Sequence, residues 1–423
     1  MMSFSLIFIA MLAGQGGSPE LVDLIPASEY WQIKEVEAGT ENLIKLANTP
    51  GEDAAGEVQR LMAIRSLGEF GVADAEDTLA DLRDKSDDRA VVRQAAIALA
   101  RIRNEPAKLR AVDLTEALAG DVAALPGGIN AVGQYRMTPT GQTSASIDDA
   151  LAEMAPMLGQ MGGGDPDVDQ IRQQIAASLV PVADQIGNAR FDAVTFGVVG
   201  NPGDDGVVVI IGRGHYHRDR LVKFLTPMAD GSSEVGGRPV LRFTDTAMVF
   251  DSDERVVMIA GEMEDQLPVE RVVAALDGEV EQPGEAIAAL IKAVDKSGPM
   301  WGVVQMIDSY RENAEPPLSQ MKHLTVSSQQ DNAEGVPKLA VTVRAEADSA
   351  DAMAEAAKVV KAGVDEGLAE MKRAKEGDRA PAVMIDPMIE LLSTVKVETD
   401  GAAGTMTATW KGGAMMPLLT PMM

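Results

Sequence analysis

Two of the chain's three histidines, His215 and His217, stand one residue apart in GRGHYHRDR, residues 212–220, and Arg213, Arg218 and Arg220 surround them. An H-x-H pair at the end of a strand places both imidazoles on one side, as metal-dependent hydrolases and cupins arrange them. A metal needs at least one further ligand. The third histidine, His323, opens a strand whose inward residues are Leu324 and Val326, so its side chain is expected on the opposite side, toward solvent. Arg213, Arg218, Arg220 and Lys223 offer a second chemistry, an anion seated at the start of a helix near residue 217, where free N–H groups and the helix dipole favour negative charge. Basic side chains near a helix start oppose that dipole, and Asp219 fills part of the capping role. A third reading is a surface junction whose cations pair with the chain's surplus acids.

Other constellations are weaker. DPDVD, residues 165–169, begins like a calcium loop, but the sixth and twelfth positions hold Gln170 and Ala176 where an EF-hand needs Gly and Glu. A helix start explains it better, with Asp165 as cap and Pro166 as first helical residue. The acidic DSDE, 251–254, joins two strong strands and reads as a turn. S-x-x-K occurs at Ser319/Lys322 and at Ser393/Lys396, without the later K-[ST]-G box that penicillin-recognising enzymes carry. There is no G-x-S-x-G elbow, P-loop, dinucleotide G-x-G-x-x-G or H-E-x-x-H. No catalytic residue, metal site or cofactor is therefore assigned. Arg213, His215, His217, Arg218 and Arg220 remain the candidate ligand-binding set.

The elements that would position these residues follow from patterning. The 423 residues carry 65 Asp and Glu against 37 Lys and Arg, a formal net charge of −28, which repels nucleic acid and anionic lipid surfaces. Absence of cysteine removes disulfides, thiolate nucleophiles and cysteine metal sites. The start, MMSFSLIFIAMLAGQGGSPE, has an apolar run from Phe4 to Ala13 that is too short to span a bilayer. Small residues follow it, so residues 1–20 are expected to be a signal peptide and the mature chain exported, periplasmic or extracellular, although no Lys or Arg precedes the run. No later stretch suggests a membrane span.

Residues 28–110 read as helices, with i, i+3, i+4 apolar spacing at Leu61, Ile64, Leu67 and Phe70, at Leu79 and Leu82, and at Val91, Ala95, Leu99 and Ile102. AIRSLGEFG, 63–71, matches AAIALARIR, 95–103, at a spacing of 32, and the Asp-bearing turn DKSDDR precedes AVVRQAAIAL. This segment, about 40–105, resembles HEAT-type helical repeats. The resemblance implies a short α-solenoid that docks on its neighbour or presents a surface to a protein partner, and it implies no chemistry.

Beyond it, hairpin signals dominate. FDAVTFGVV and VVVIIG, then a helix near 217–226, form a strand–turn–strand–Gly–helix unit. TAMVF, RVVMIAG and VERVVAAL repeat that unit, with DRLVKFL aligning on ERVVAAL at an offset of 51. In this second copy EMEDQLP replaces the histidine connector, which favours the surface-junction reading. A third version pairs 323–331 with 337–347 ahead of a long helix from Ser349 to about Glu376, whose expected buried face is Met353, Val360, Val364, Leu368 and Met371. Helices are also expected at 147–160 and 168–187, a kink at Pro387, and a terminal hairpin over 394–410.

The fold class expected is α+β: a short N-terminal α-helical repeat, then a duplicated, mainly antiparallel sheet domain with covering helices, as in ferredoxin-like layouts. The halves are 111–280 and 281–423. Residues from about 120 resemble uncharacterised exported bacterial proteins with a WGVV strand and a long Ala-rich helix before a terminal hairpin, a resemblance that brings no activity. The function expected is a non-catalytic interaction or structural protein, with a small-ligand or anion-binding protein as the alternative.

Overall fold

The computed structural model describes residues 20–107, 109, 113–137, 168–200, 206–261, 267–279, 284–331, 338–376 and 382–411. The expected signal peptide, the 147–160 helix and Asp165 with Pro166 lie outside these residues. The helical module comprises α1 (Ala27–Ile33), α2 (Thr40–Asn48), α3 (Ala54–Glu69), α4 (Glu76–Lys85) and α5 (Arg89–Arg103). Its starts follow capping chemistry. Asp53 accepts from the Gly56 N–H at 2.8 Å ahead of α3, and Asp88, from the Asp-bearing turn, accepts from Ala90 and Val91 ahead of α5. Leu61, Ile64 and Leu67 of α3, Leu79 of α4, and Val91, Ala95 and Leu99 of α5 are buried together. Each fully buried aliphatic side chain contributes roughly 1.5–3 kcal/mol. Phe70, in phase with the α3 row, lies one residue past the helix end and is 50% exposed.

After α6 (Thr115–Ala123) come β1 (Ile129–Arg136), α7 (Val168–Ile186), β2 (Arg190–Val199), β3 (Val207–His215), α8 (Arg218–Leu225), β4 (Gly231–Val235), β5 (Arg238–Phe243), β6 (Thr246–Phe250), β7 (Arg255–Ala260), α9 (Val269–Leu276) and α10 (Glu285–Ala293). The remainder is β8 (Met300–Gln305), α11 (Asp308–Asn313), β9 (Met321–Asp331), β10 (Lys338–Ala347), α12 (Ala350–Glu376), α13 (Ala382–Thr394), β11 (Lys396–Asp400) and β12 (Ala403–Lys411). The strands form one twelve-stranded sheet in the order β11-β12-β10-β9-β8-β1-β2-β3-β7-β6-β5-β4. Every neighbouring pair is antiparallel. The fold is therefore the α+β class expected, N-terminal helices followed by one large antiparallel sheet with covering helices, continuous through the β1–β8 pair.

Side-chain alternation divides the apolar residues between two cores. Val207, Val209 and Ile211 of β3, Val257 and Ile259 of β7, and Trp301 and Val303 of β8 face a core covered by α9 and α10. Leu241, Phe250, Val256 and Phe191 point the other way, into a core shared with the helical module and α7. β3, read from its continuous apolar run as covered on both faces, is buried on the first face at Val207, Val209 and Ile211. It is half-buried on the other at Val208 and Ile210.

Two details depart from the expectation. The β4–β5 hairpin adds two strands to the expected units, turning at Gly236-Gly237, a two-residue hairpin signal in which both glycines have positive φ (56° and 75°). The long helix α12 buries Ala352, Met353, Ala356 and Ala357, but not the rest of its expected face. Val360 is 38% exposed, and Val364, Leu368 and Met371 are half-buried. The reason is length. The N-terminal part of α12 lies on the sheet, where Met353 fills the space a side chain at Gly404 would need. Farther along, α12 meets α13, with Gly367 facing Leu392 and Lys375 paired to Asp386 at 2.5 Å.

The α3–α5 crossing is a direct test of the repeat packing. A Cβ on Gly68 would meet Ala98 Cα at 2.5 Å and Cβ at 2.7 Å. Gly68→Ala is expected to destabilise the chain by about 1–3 kcal/mol through overpacking, and adding Ala98→Gly should restore part of the loss. Urea unfolding of the three variants reads both changes.

Candidate functional site

β3 runs into α8 through the histidine connector, and alternation there decides which way each residue points. Arg213 continues the row of Val207, Val209 and Ile211. Its guanidinium forks onto Asp121 of α6, with Nε donating to both carboxylate oxygens at 3.0 and 2.8 Å and Nη2 to Oδ1 at 2.7 Å. Asp121 is fully buried. Arg255, beside Arg213 on β7, lies 3.7 Å from the same carboxylate and donates to Asp251 at 2.7 Å. Asp251 also accepts from Arg238, which binds Asp277 at 2.7 Å. The result is an alternating relay, Arg213–Asp121–Arg255–Asp251–Arg238–Asp277. The hydrogen bond to Asp121 pushes the Arg213 guanidinium up from its ordinary pKa. Burial works against ionised Asp251, yet Arg255 and Arg238 hold its carboxyl below the usual carboxylate range.

Past the strand the side chains turn toward the helical module. Tyr216 is buried and its hydroxyl donates to the Arg255 carbonyl at 2.8 Å. Burial, with Asp251 and Asp253 nearby, pushes its phenol well above the ordinary range. His217 Nε2 sits 3.0 Å from Glu57 Oε2 of α3, and Arg220 Nη1 donates to the same oxygen at 2.8 Å. The other Glu57 oxygen accepts from the Asn188 N–H at 3.3 Å. Burial opposes charge on Glu57, but these donors outweigh it and lower its pKa. The hydrogen bond to Glu57 raises that of His217. Gly187, at φ +80°, makes the close approach possible, because a Cβ there would lie 2.8 Å from Arg220 Nη1 and 3.1 Å from Glu57 Oε2.

Asn188 carries the contact onward, its Nδ2 donating to buried Glu20 at 3.1 Å. Glu20 and Asp23 lie on the segment wedged between the helical module and the sheet, whose Leu21 N–H donates to the Ala189 carbonyl at 2.9 Å. Gln94 of α5 reaches Glu20 at 3.0 Å and Asp23 at 2.8 Å, and Arg93 pairs with Asp23 at 2.8 Å. Arg65 donates to the carbonyls of Val22 and Ile25. Burial raises the Glu20 pKa. For Asp23 burial has the same sense, but Arg93 and Arg65 overcome it and hold its carboxyl low.

The connector thus sends its residues to different places. Arg213 is occupied by Asp121, while His217 and Arg220 share Glu57. Arg218 lies at the surface against Asp219, its backbone N–H donating to Asp253 at 2.8 Å. His215 is exposed, its ring 6.2 Å from that of His217. His323 is elsewhere, half-buried on β9 and 3.7 Å from Glu346. Among the described residues no group of three or more His, Asp or Glu is placed to hold a metal. Asp169 of DPDVD lies exposed in the first turn of α7. Of the S-x-x-K pairs, Lys322 is engaged by Glu346 and Ser393 donates to the Glu390 carbonyl. The carboxylates that complete the site, Glu57, Asp121 and Asp251, were not singled out for it from sequence. Glu57 and Asp121 stand far from the connector in an acid-rich chain, whereas Asp251 and Asp253 belong to DSDE, whose spacing marks a turn and not a site.

The arrangement is a joint. Cations of the connector receive carboxylates from both the helical module and the sheet's own covering helix. Comparison with known proteins agrees on its helical side, where residues 40–124 match the family model for HEAT repeats. No curated protein matches the chain. Among solved structures, crystal form III of TP0453 aligns over 71% of this chain and 97% of its own, at 8% identity and a TM-score of 0.38. Crystal form IV aligns over 71% and 95%, at 7% identity and 0.37.

Two predictions test the joint. Asp121→Ala leaves Arg213 without its buried counter-charge and is expected to cost about 3–5 kcal/mol, read as a lowered urea midpoint. The Glu57 contact should be pH-dependent. His217, with its pKa raised above 6.5, contributes stability that is complete below 6.5 and lost as pH rises through its raised value. Glu57, lowered below 4.5, contributes stability present above 4.5 and lost as pH falls through its lowered value. The contact is therefore strongest between 4.5 and 6.5. His217→Ala should flatten the loss of thermal stability above 6.5 while Arg220 preserves part of the contact.

Proposed function

We propose that the chain is an exported, non-catalytic interaction or structural protein, in which the helical module meets a protein partner and the sheet is its rigid support. The observation that carries this is the joint. Arg213, His217 and Arg220, the cations best suited to chemistry, are all occupied: Arg213 by Asp121 within the sheet domain, and His217 and Arg220 by Glu57, which fixes the connector against the helical module. The HEAT match supports a surface built for protein contact. The apolar run from Phe4 to Ala13 supports export, to the periplasm or beyond the cell. Hairpin–helix units at β2–β3–α8, β6–β7–α9 and β9–β10–α12 support an internal duplication, with 28–110 as the helical domain and 111–280 and 281–423 as the halves.

A second reading rests on His215, exposed at the end of β3 with its ring 6.2 Å from that of His217, as the place where a small anion binds at the joint's rim. Thermal-shift measurements with phosphate, sulfate, zinc and calcium, on wild type and His215→Ala, separate the two. The interaction reading expects no shift, whereas a shift abolished by His215→Ala would establish the second. Affinity capture with the full chain from a native envelope extract tests the first, with a reproducible protein partner expected. A clean blank would overturn it.

A further inference from the structure

The helical module carries a groove of about 450 Å³ away from the joint, lined by Ser28, Trp31, Gln32, Val36, Ala38 and Phe70, with Glu35 and Glu37 also in its wall. We infer that this groove is the partner-docking site, and that it takes a short peptide segment of a partner protein in which an aromatic or large aliphatic side chain is flanked by Lys or Arg. The inference rests on the interaction reading and names its surface.

The floor is apolar and held in place. The Trp31 indole donates to Ser66 at 2.9 Å and packs edge-on against Tyr30, with ring centroids 4.9 Å apart. Val36 is fixed by the chain reversal that ends α1, where its N–H donates to the Trp31 carbonyl at 3.1 Å. Phe70 is half exposed, and Ile33 of the same module is 44% exposed. An aromatic left in water beside a rigid apolar floor is the anchor arrangement from which binding hot spots are built.

The wall sets the charge of the occupant. Glu35 and Glu37 are exposed and have no ion-pair partner among the described residues. The nearby base, Lys34, is held by Asp184 at 2.8 Å on the side facing α7. No Lys, Arg or His lines the groove. Phosphate backbones and anionic lipid headgroups are repelled by such a wall, whereas a basic peptide is attracted. Glu35 also stands at φ +52°, the left-handed position that closes helix α1 and that glycine or asparagine ordinarily fills. A glutamate occupies that position against its backbone preference, on the groove wall.

The test uses the purified full chain and labelled peptides read by fluorescence anisotropy: Phe between pairs of Lys, the same peptide with Glu for Lys, and the same with Ala for Phe. The first is expected to bind at least about tenfold more tightly than either control, and more weakly as salt rises. Phe70→Ala, and Glu35→Gln with Glu37→Gln, should each weaken it about tenfold. Glu35→Gly supplies the readout that a merely structural role would not give, because it relieves the left-handed backbone. Its thermal midpoint should equal or exceed that of wild type while its affinity falls. Equal binding of the three peptides, or binding unchanged by Phe70→Ala and the double Gln variant, overturns the groove. Capture from extract separates this failure from that of the parent reading. A partner retained equally by wild type and Phe70→Ala overturns the groove and leaves the interaction reading in place.

Discussion

Two carboxylates buried between two modules constrain the whole arrangement. Glu20 and Asp23 are removed from water, and an ion in that position is tolerated only where donors replace its hydration shell. Arg93 and Gln94 from α5 and Asn188 from the connection between α7 and β2 supply those donors. Because they come from both modules, the carboxylates are satisfied in one relative placement only. Sliding the helical module along the sheet would strand a charge, whereas sliding an apolar face would cost contact area gradually. Apolar burial holds the modules together, and the polar seam sets their register.

The seam also explains how so short a helical repeat persists. Two or so repeats bury little among themselves, and isolated solenoid units depend on neighbours. Here α1 and α3 pack on α7, and Leu61, Ile64 and Leu67 share a core with Phe191, Tyr216 and Leu225 of the sheet domain. The helices end the solenoid on the sheet instead of on a capping repeat. Phe70 and the groove are left without a covering element among the described residues.

Much of this was legible in the sequence where local patterns decide. The Asp-bearing turn ahead of α5, the α3–α5 repeat, the hairpin over β2 and β3, and the helix that follows β3 are set by turn chemistry and spacing within a few residues. The Gly236-Gly237 turn is equally local, but the strand before it, GSSEV, is short and polar and carries little strand signal of its own. The stripe on α12 shows the limit of periodicity. Spacing identifies an apolar face at Val360, Val364, Leu368 and Met371, but how far the sheet extends beneath it depends on tertiary packing. The joint lies beyond local pattern altogether. His217 meets Glu57 across 160 residues and Arg213 meets Asp121 across 92, and nothing in a single acid-rich sequence marks those two carboxylates among the 65 acids.

The excess of acid clarifies why arginine does this work. Arg213, Arg220, Arg238 and Arg255 each meet carboxylates, and Arg213 and Arg238 use more than one nitrogen. A guanidinium keeps its charge when half-buried and presents a planar fork, so one residue can bridge two carboxylates in sequence, whereas a lysine there would be a single, more strongly hydrated point charge. In a chain of net charge −28 such bridges neutralise the acids that folding brings together, and they do so inside the structure, where opposite charges attract most strongly. Glu35 and Glu37 stand at the exterior without such a bridge among the described residues, beside the exposed Phe70. The same division of charge that makes the joint rigid therefore gives the groove its sign.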